Sequence, residues 1–307
     1  MSNLINSVPI TPKDVATFEQ EGAIVLRNLI NPEVIDSIRQ TFEKIAIPSP
    51  LGFTARYVRM SYNLEDHTDI FNRITASENF GKIIQQLTGK QLILSQALGL
   101  ESEPNPEVAV KWHYDQTSYG FVDVDVPCLG LWFPLVKISS SGQRGGVSWV
   151  PKNVMSAQEK LRRWQDYYYR LYDLKLEGGD GYQGLNEDFN YSTTHGLDWL
   201  SEEDFEVLNS HEVEPNFEIG DAVLMDRNIY HRTTPYLDGP MTKRLVCVMR
   251  FVGADARLNR KLFEGLNIHA RIEKRILPTI FISKLIDIPD GEKIVSSQYC
   301  PPAFPSS

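Results

Sequence analysis

The stretch Val110-Lys111-Trp112-His113-Tyr114-Asp115-Gln116 decides how the rest of the chain is read. Its apolar and β-branched surroundings predict a strand. Residues two apart on a strand share a face, so His113 and Asp115 are expected to point the same way. An imidazole beside a carboxylate supplies two ligands of a 2-His-1-carboxylate triad, the arrangement that holds Fe(II) and leaves coordination positions open. The third ligand must then come from a distant strand that folds back against this one.

The spacing alone is weak. With six histidines and 40 acids in 307 residues, a chance His-x-acid pair is expected, and a second copy exists at His67-Thr68-Asp69. That copy lies in a charged neighbourhood leading into Ile70-Phe71, where Asp69 reads as a surface helix cap. The His113 copy has an apolar flank, where a carboxylate is costly unless something holds it. Four histidines remain: His195, His211, His231 and His269. The first two fall in a region of different character, and His269 sits among Arg271, Glu273 and Lys274 on an expected surface helix. His231 alone follows core-like β sequence, ahead of a turn and a further strand.

The rest of the chain supports a β-rich core with helical flanks. Thr11-Pro12-Lys13-Asp14 and Asn31-Pro32-Glu33 are helix starts, each with a capping side chain followed by Pro. Ile35, Ile38, Phe42 and Ile45 recur at helical spacing. N-terminal helices are expected over 11–90, and β structure over about 91–253, including Gln91–Gln96, Cys128–Lys137, Val147–Pro151, Ala222–Met225 and Lys243–Val252. Between about 156 and 214 the pattern is interrupted by an aromatic helix (Trp164, Tyr167, Tyr168, Tyr169, Tyr172), a Gly-rich stretch and a helix start at Ser201. This reads as an insertion, a lid or substrate wall carried on the scaffold. Residues 254–307 form a C-terminal extension, and 1–307 make one domain.

Hydrophobic residues make up 42% of the chain, enough for a substantial core. A net charge of −9 argues against a nucleic-acid backbone or an anionic membrane as partner. The three cysteines (Cys128, Cys247, Cys300) are isolated, which excludes a thiolate zinc cluster by spacing and suits a reducing compartment. No signal-like segment or membrane-length apolar run is present, so a cytoplasmic location is expected. The sequence says nothing about oligomeric state.

Several stretches together resemble the phytanoyl-CoA dioxygenase family of Fe(II)/2-oxoglutarate oxygenases. They are Phe18–Arg27, Trp112-His-Tyr-Asp-Gln116, Leu131-Trp132, Gly145-Gly-Val-Ser-Trp-Val-Pro151, and Gly220-Asp-Ala-Val-Leu224 through His231 to Arg244. The resemblance spans most of 14–253 in order and omits the insertion and the tail. It implies a double-stranded β-helix (jelly-roll) core, with iron on His113, Asp115 and His231 and Arg244 gripping the distal carboxylate of 2-oxoglutarate. A guanidinium fork suits that carboxylate. A hairpin centred near Asp238-Gly239 would set Arg244 opposite Thr233, so that both reach one carboxylate; Arg250 is the other candidate. Gln96 and Trp132 match positions that line the cosubstrate pocket in relatives. Two departures stand out: Lys152-Asn153-Val154 replaces the usual Gly-Ser-His, and the arginine comes later after the second histidine. Halogenating relatives lose the carboxylate that this chain keeps at 115, which favours oxygenation.

The expected activity is therefore oxidation, most simply hydroxylation, of a small organic metabolite or amino-acid derivative with O2, yielding succinate and CO2. Gln116 and Tyr119, just past the metal stretch, are the expected substrate contacts. Two alternatives remain at this level: a metal-free binding or scaffold protein on the same fold, and a cupin-like metal enzyme independent of 2-oxoglutarate.

Overall fold

The computed structural model describes residues 4–49, 57–105, 111–176, 200–272 and 280–305. Two antiparallel sheets face each other in a jelly roll. The major sheet has seven strands: β1 (Ala23–Leu26), β2 (Ile47–Pro48), β3 (Arg59–Ser61), β4 (Leu92–Ser102), β5 (Cys128–Pro134), β7 (Ala222–Asp226) and β9 (Arg244–Gly253), in the order β1-β7-β5-β9-β4-β3-β2. The minor sheet pairs β6 (Val147–Trp149) with β8 (His231–Thr233). Isolated bridges widen it on both sides, His113 to His231 and Trp149 to Val213.

The N-terminal helices form as their caps dictate. In α1 (Pro12–Glu21), Thr11 and Asp14 complete a reciprocal capping box, and the helix ends at Gly22 with φ +76°. Asn31 caps α2 (Pro32–Ile45) through the Glu33 amide. Asp69 occupies the cap position of α3 (Ile70–Thr75) without a side-chain cap bond. Together with α4 (Glu78–Thr88), these helices bury Phe18, Ile35, Ile38, Phe42, Phe71 and Phe80 against the outer face of the major sheet. The inner face carries a second core, Trp132, Val147, Trp149, Phe217, Val223 and Val246, between the sheets. Strand alternation thus divides β9: Leu245, Cys247, Met249 and Phe251 face the helices, leaving the even-numbered residues to the barrel.

Three expectations change here. The stretch around His113 is no regular strand, but a segment joined to β8 by one bridge, His113 N to His231 O at 3.0 Å and the reverse bond at 2.9 Å; Val110 lies outside the described residues. The expected hairpin does not form either. β8 and β9 belong to different sheets, Thr233 faces Val147, and Arg244 pairs with Ser102. Pro235 and Pro240 have no N–H to offer a ladder, and Tyr236 between them bridges to Asn105 and Arg144 instead. Finally, His269 is buried on α7 (Arg260–Ile272), packed against Trp164, Tyr167 and Tyr168 of α5 (Gln158–Leu176).

The described parts of the 156–214 region are anchored to the rest of the fold. α5 buries Trp164, Tyr167, Tyr168 and Leu171 against Leu262, Leu266 and Ile268 of α7. A capping box of Ser201 and Asp204 opens α6 (Glu202–Ser210). Residues 177–199, including His195 and the Gly-rich stretch, are outside the described residues. The α5–α7 crossing is tight at Gly265, where an added Cβ would collide with the Tyr168 carbonyl oxygen and stand 2.6 Å from its carbon. Glycine to alanine inside a helix normally helps by about 0.5–1 kcal/mol. At 265 the sign reverses: backbone meets backbone, and Gly265→Ala is expected to destabilise the fold by about 3 kcal/mol, the upper end of overpacking costs. Urea denaturation of the two proteins measures it.

Among the described residues, no helix is long and apolar enough to cross a membrane.

Candidate metal centre and anion site

His113 and His231 stand side by side, ring centroids 4.2 Å apart. Backbone pairing puts them there, because each is the bridge partner of the other. Their tautomers are set in the same manner. The His113 Nδ1 lies 2.8 Å from the Lys111 carbonyl, and the His231 Nδ1 lies 3.3 Å from the Ile229 carbonyl. A carbonyl only accepts, so in the neutral ring Nδ1 carries the proton and Nε2 the lone pair. Two neighbouring imidazoles with Nε2 lone pairs offer the nitrogen donors a metal would take, and second bonds of this kind orient metal-binding histidines.

Asp115 supplies charge to the same place. Burial alone would raise its pKa; the Arg250 guanidinium, the two imidazoles and the Ser118 hydroxyl overcome that and bring it down to about 2. Its Oδ1 accepts from Ser118 Oγ at 3.1 Å and from Arg250 Nη2 at 3.3 Å. The triad is gathered but not closed: among the described residues, no three His, Cys, Asp or Glu side chains already stand at metal-holding spacing. The donor set still fits a hard-to-borderline divalent ion, with two neutral nitrogens and one ionised carboxylate.

Along the barrel from this trio lies Arg244. It is only 2% exposed, yet no carboxylate pairs with it among the described residues. Its Nη1 donates to the Gly145 carbonyl, it bonds the Tyr57 hydroxyl, and its Nε has no partner in the described structure. Desolvation lowers its pKa, the expected response of a buried cation. Gly145, at φ +81°, is what makes room: a Cβ there would stand 2.9 Å from the Tyr236 ring and 3.2 Å from Arg244 Cδ.

The remaining site candidates separate. On β8, Arg232 turns outward to Glu212 and stacks on Trp112, which leaves His231 and Thr233 on the opposite face. Trp132 packs on Phe217 in the inter-sheet core, ring centroids 4.9 Å apart. Gln96 is buried and accepts from Arg250 Nη1 at 2.9 Å, so it joins the Asp115 side of the barrel. Gln116 donates to the Tyr168 hydroxyl at 2.5 Å and lines a small cavity with Trp164, Tyr168 and Arg227. Tyr119 is corrected: it is fully buried under Arg227, and its hydroxyl donates to the Leu129 carbonyl at 2.6 Å, so it is a core residue with no face toward a substrate. The aromatic stripe of α5 is likewise mostly core, although Trp164 donates to the Tyr114 hydroxyl beside the histidines. His211 ends α6 in the open, and His67 closes the turn before α3. Ser118 and Asn63 escape sequence reasoning; only the structure shows one bonded to Asp115 and the other to Gln96. A surface cavity of about 330 Å³, lined in part by Phe18, Lys90, Lys152 and Asp226, shares no residue with this constellation.

No protein-family model matches the sequence, and neither does any curated protein. Solved structures do match in fold. The non-heme alpha-ketoglutarate-dependent carbocyclase SnoK from nogalamycin biosynthesis superposes with a TM-score of 0.61 at 16% identity, over 95% of this chain and 96% of that one. The epimerase SnoN from the same biosynthesis gives 0.58 at 14%, over 94% and 95%. HygX from Streptomyces hygroscopicus, with nickel and 2-oxoglutarate bound, gives 0.51 at 13%, over 80% and 87%. At such identities the likeness establishes the jelly-roll fold.

Proposed function

We propose that this protein is a non-haem Fe(II)/2-oxoglutarate-dependent dioxygenase of the phytanoyl-CoA dioxygenase-like kind, acting on a small organic metabolite. The observation that carries the reading is the matched histidine pair, two imidazoles from distant segments with both lone pairs assigned to Nε2. Arg244 adds an independent one, since a buried cation with no carboxylate beside it among the described residues calls for an anionic ligand. A dicarboxylate spanning from the histidines toward Arg244 would satisfy both. Function cannot be inferred from fold alone, but SnoK and SnoN are described as alpha-ketoglutarate-dependent enzymes of natural-product biosynthesis, and HygX has been seen with hygromycin B. Those chemistries favour a specialised metabolite as substrate.

When bound, Fe(II) and 2-oxoglutarate supply the oxidising chemistry, in which O2 is reduced as the oxoacid loses CO2 to give succinate and the substrate is oxidised by two electrons. The chain's own residues do the rest. His113, His231 and Asp115 would hold the metal on one side and leave the other open. Arg244 would fix the distal carboxylate, with Thr233 on the facing sheet as a second donor and Trp132 as an apolar wall. Gln116, joined to Tyr168 where α5 meets the metal stretch, would meet substrate.

Anaerobic titration with Fe(II) and then 2-oxoglutarate tests the reading. A weak visible charge-transfer band that needs both components, and succinate formation once O2 is admitted, are expected. Metal uptake without any effect of 2-oxoglutarate would leave a cupin-like metal enzyme; no metal uptake would leave a binding scaffold.

A further inference from the structure

A chain of side chains from four separate segments ends on one oxygen of Asp115. Asn63 Oδ1 accepts from Gln96 Nε2 at 3.2 Å. Gln96 Oε1 accepts from Arg250 Nη1 at 2.9 Å, and Arg250 Nη2 reaches Asp115 Oδ1 at 3.3 Å, where Ser118 Oγ also donates at 3.1 Å. Every bond that the described residues make to this carboxylate goes to Oδ1.

The fold builds in this arrangement at some cost. β4 carries a bulge between Leu94 and Gln96, directly across from Arg250. Without it, the strand's alternation would put Gln96 on the same side as Leu92 and Leu94, against the helices. The extra residue, Ser95, shifts the phase, and from there Ala97 takes the helix side and Gln96 the barrel side. Both ends of the irregularity are satisfied. Ser95 Oγ donates to the Arg250 carbonyl at 3.1 Å, and the Ala97 amide donates to Glu65 Oε2 at 2.8 Å, with Glu65 itself paired to Lys284 at 3.2 Å. Asn63 sits at φ +58°, a left-handed conformation that asparagine tolerates better than most residues. A bulge, a left-handed asparagine and a buried acid thus converge on one guanidinium.

We infer that Arg250 is a positioning residue for the metal carboxylate: with Ser118 it holds Asp115 Oδ1, so that a metal is met by Oδ2 alone and the open side of the ion is not closed by a second carboxylate oxygen. This gives Arg250 a task distinct from anchoring the oxoacid, and it rests on the metal site proposed above. A fork can serve Gln96 and Asp115 at once, which a lysine ammonium on its flexible stem cannot do in the same geometry.

The test uses Co(II) as probe, with affinity and the visible ligand-field spectrum read on the purified protein without 2-oxoglutarate. Arg250→Met is expected to weaken Co(II) by about 10- to 100-fold, the range for partners that orient a ligand, and to change the spectrum as the freed carboxylate binds differently. Arg250→Lys should recover part of the affinity, and Ser118→Ala should shift both readouts the same way by less. Wild-type affinity and spectrum in a folded Arg250→Met protein would overturn the inference, as would tighter binding, which would make Arg250 a competitor of the metal. If Arg250→Met does not fold, unchanged binding in both Arg250→Lys and Ser118→Ala overturns it instead. Failure of the wild-type protein to take up Co(II) would bring down the underlying metal site as well, and so is distinguishable.

Discussion

Replacing Arg244 with methionine is expected to remove 2-oxoglutarate binding while leaving the ligand-free protein as stable as before, or more so. The two halves of this result have one cause. Arg244 is buried in the barrel with no carboxylate beside it among the described residues, and its Nε has no partner there. A charge held this way costs folding free energy, and exchanging buried ionic groups for apolar ones of similar size is often neutral or stabilising by about 1–4 kcal/mol. Methionine keeps most of the volume and leaves space for Tyr236 and Gly145 to pack as they do. The same charge becomes an asset when an anion arrives. Losing one partner of a buried pair costs about 3–5 kcal/mol, so affinity for 2-oxoglutarate should fall by about 10²- to 10⁴-fold. Denaturation with Fe(II) under anaerobic conditions, with and without 2-oxoglutarate, separates the effects. Ligand at a hundred times its dissociation constant stabilises wild type by about 2.7 kcal/mol, and Arg244→Met should show almost none of this gain from a higher starting point. Equal stabilisation of both proteins would mean that the oxoacid's carboxylate is held elsewhere.

Much of this site is legible in the sequence because the signals are local. Thr11-Pro12-Lys13-Asp14 and Ser201-Glu202-Glu203-Asp204 name their caps within four residues, and both form complete capping boxes. His113 and Asp115 are two residues apart, so any extended segment brings them near one another. What the sequence conceals is register between distant strands. Asp238-Gly239 suggests a hairpin, but whether the returning strand pairs with β8 depends on what else the loop meets, and Tyr236 is taken by Asn105 and Arg144. A turn that does not pair its flanks leaves Arg244 and Thr233 on different sheets. His269 misleads in another way. Its charged neighbours suggest a surface, but Leu262, Leu266 and His269 follow a helical stripe, and the stripe is what α5 covers. The bulge in β4 has no sequence signal at all. Leu92–Gln96 reads as unbroken strand, yet one added residue decides whether Gln96 meets helices or Arg250.

The His231→Ala variant should lose the metal and keep the fold, and this pairing of outcomes discriminates among the readings most sharply. The structural work of residue 231 is done by its backbone, which bonds His113 on one side and pairs with Trp149 on the other. Its side chain is only partly buried, so truncation leaves no closed core cavity and little stability should be lost. The imidazole, by contrast, would be one of three ligands. If metal binding near neutral pH is worth about 10–16 kcal/mol across four ligands, each ligand accounts for roughly 2.5–4 kcal/mol, and the affinity should drop by about 10²- to 10³-fold. Turnover and the charge-transfer band should disappear with it. His211→Ala is the matched control: that ring sits at the exposed end of α6, bonded to the Val207 carbonyl at 3.0 Å, and its removal should leave metal affinity untouched. Calorimetric titration of both variants with Co(II) measures the difference. Full metal affinity in His231→Ala would show that the two imidazoles lie together for packing alone, because nothing in the backbone bridge between them requires a histidine at either end.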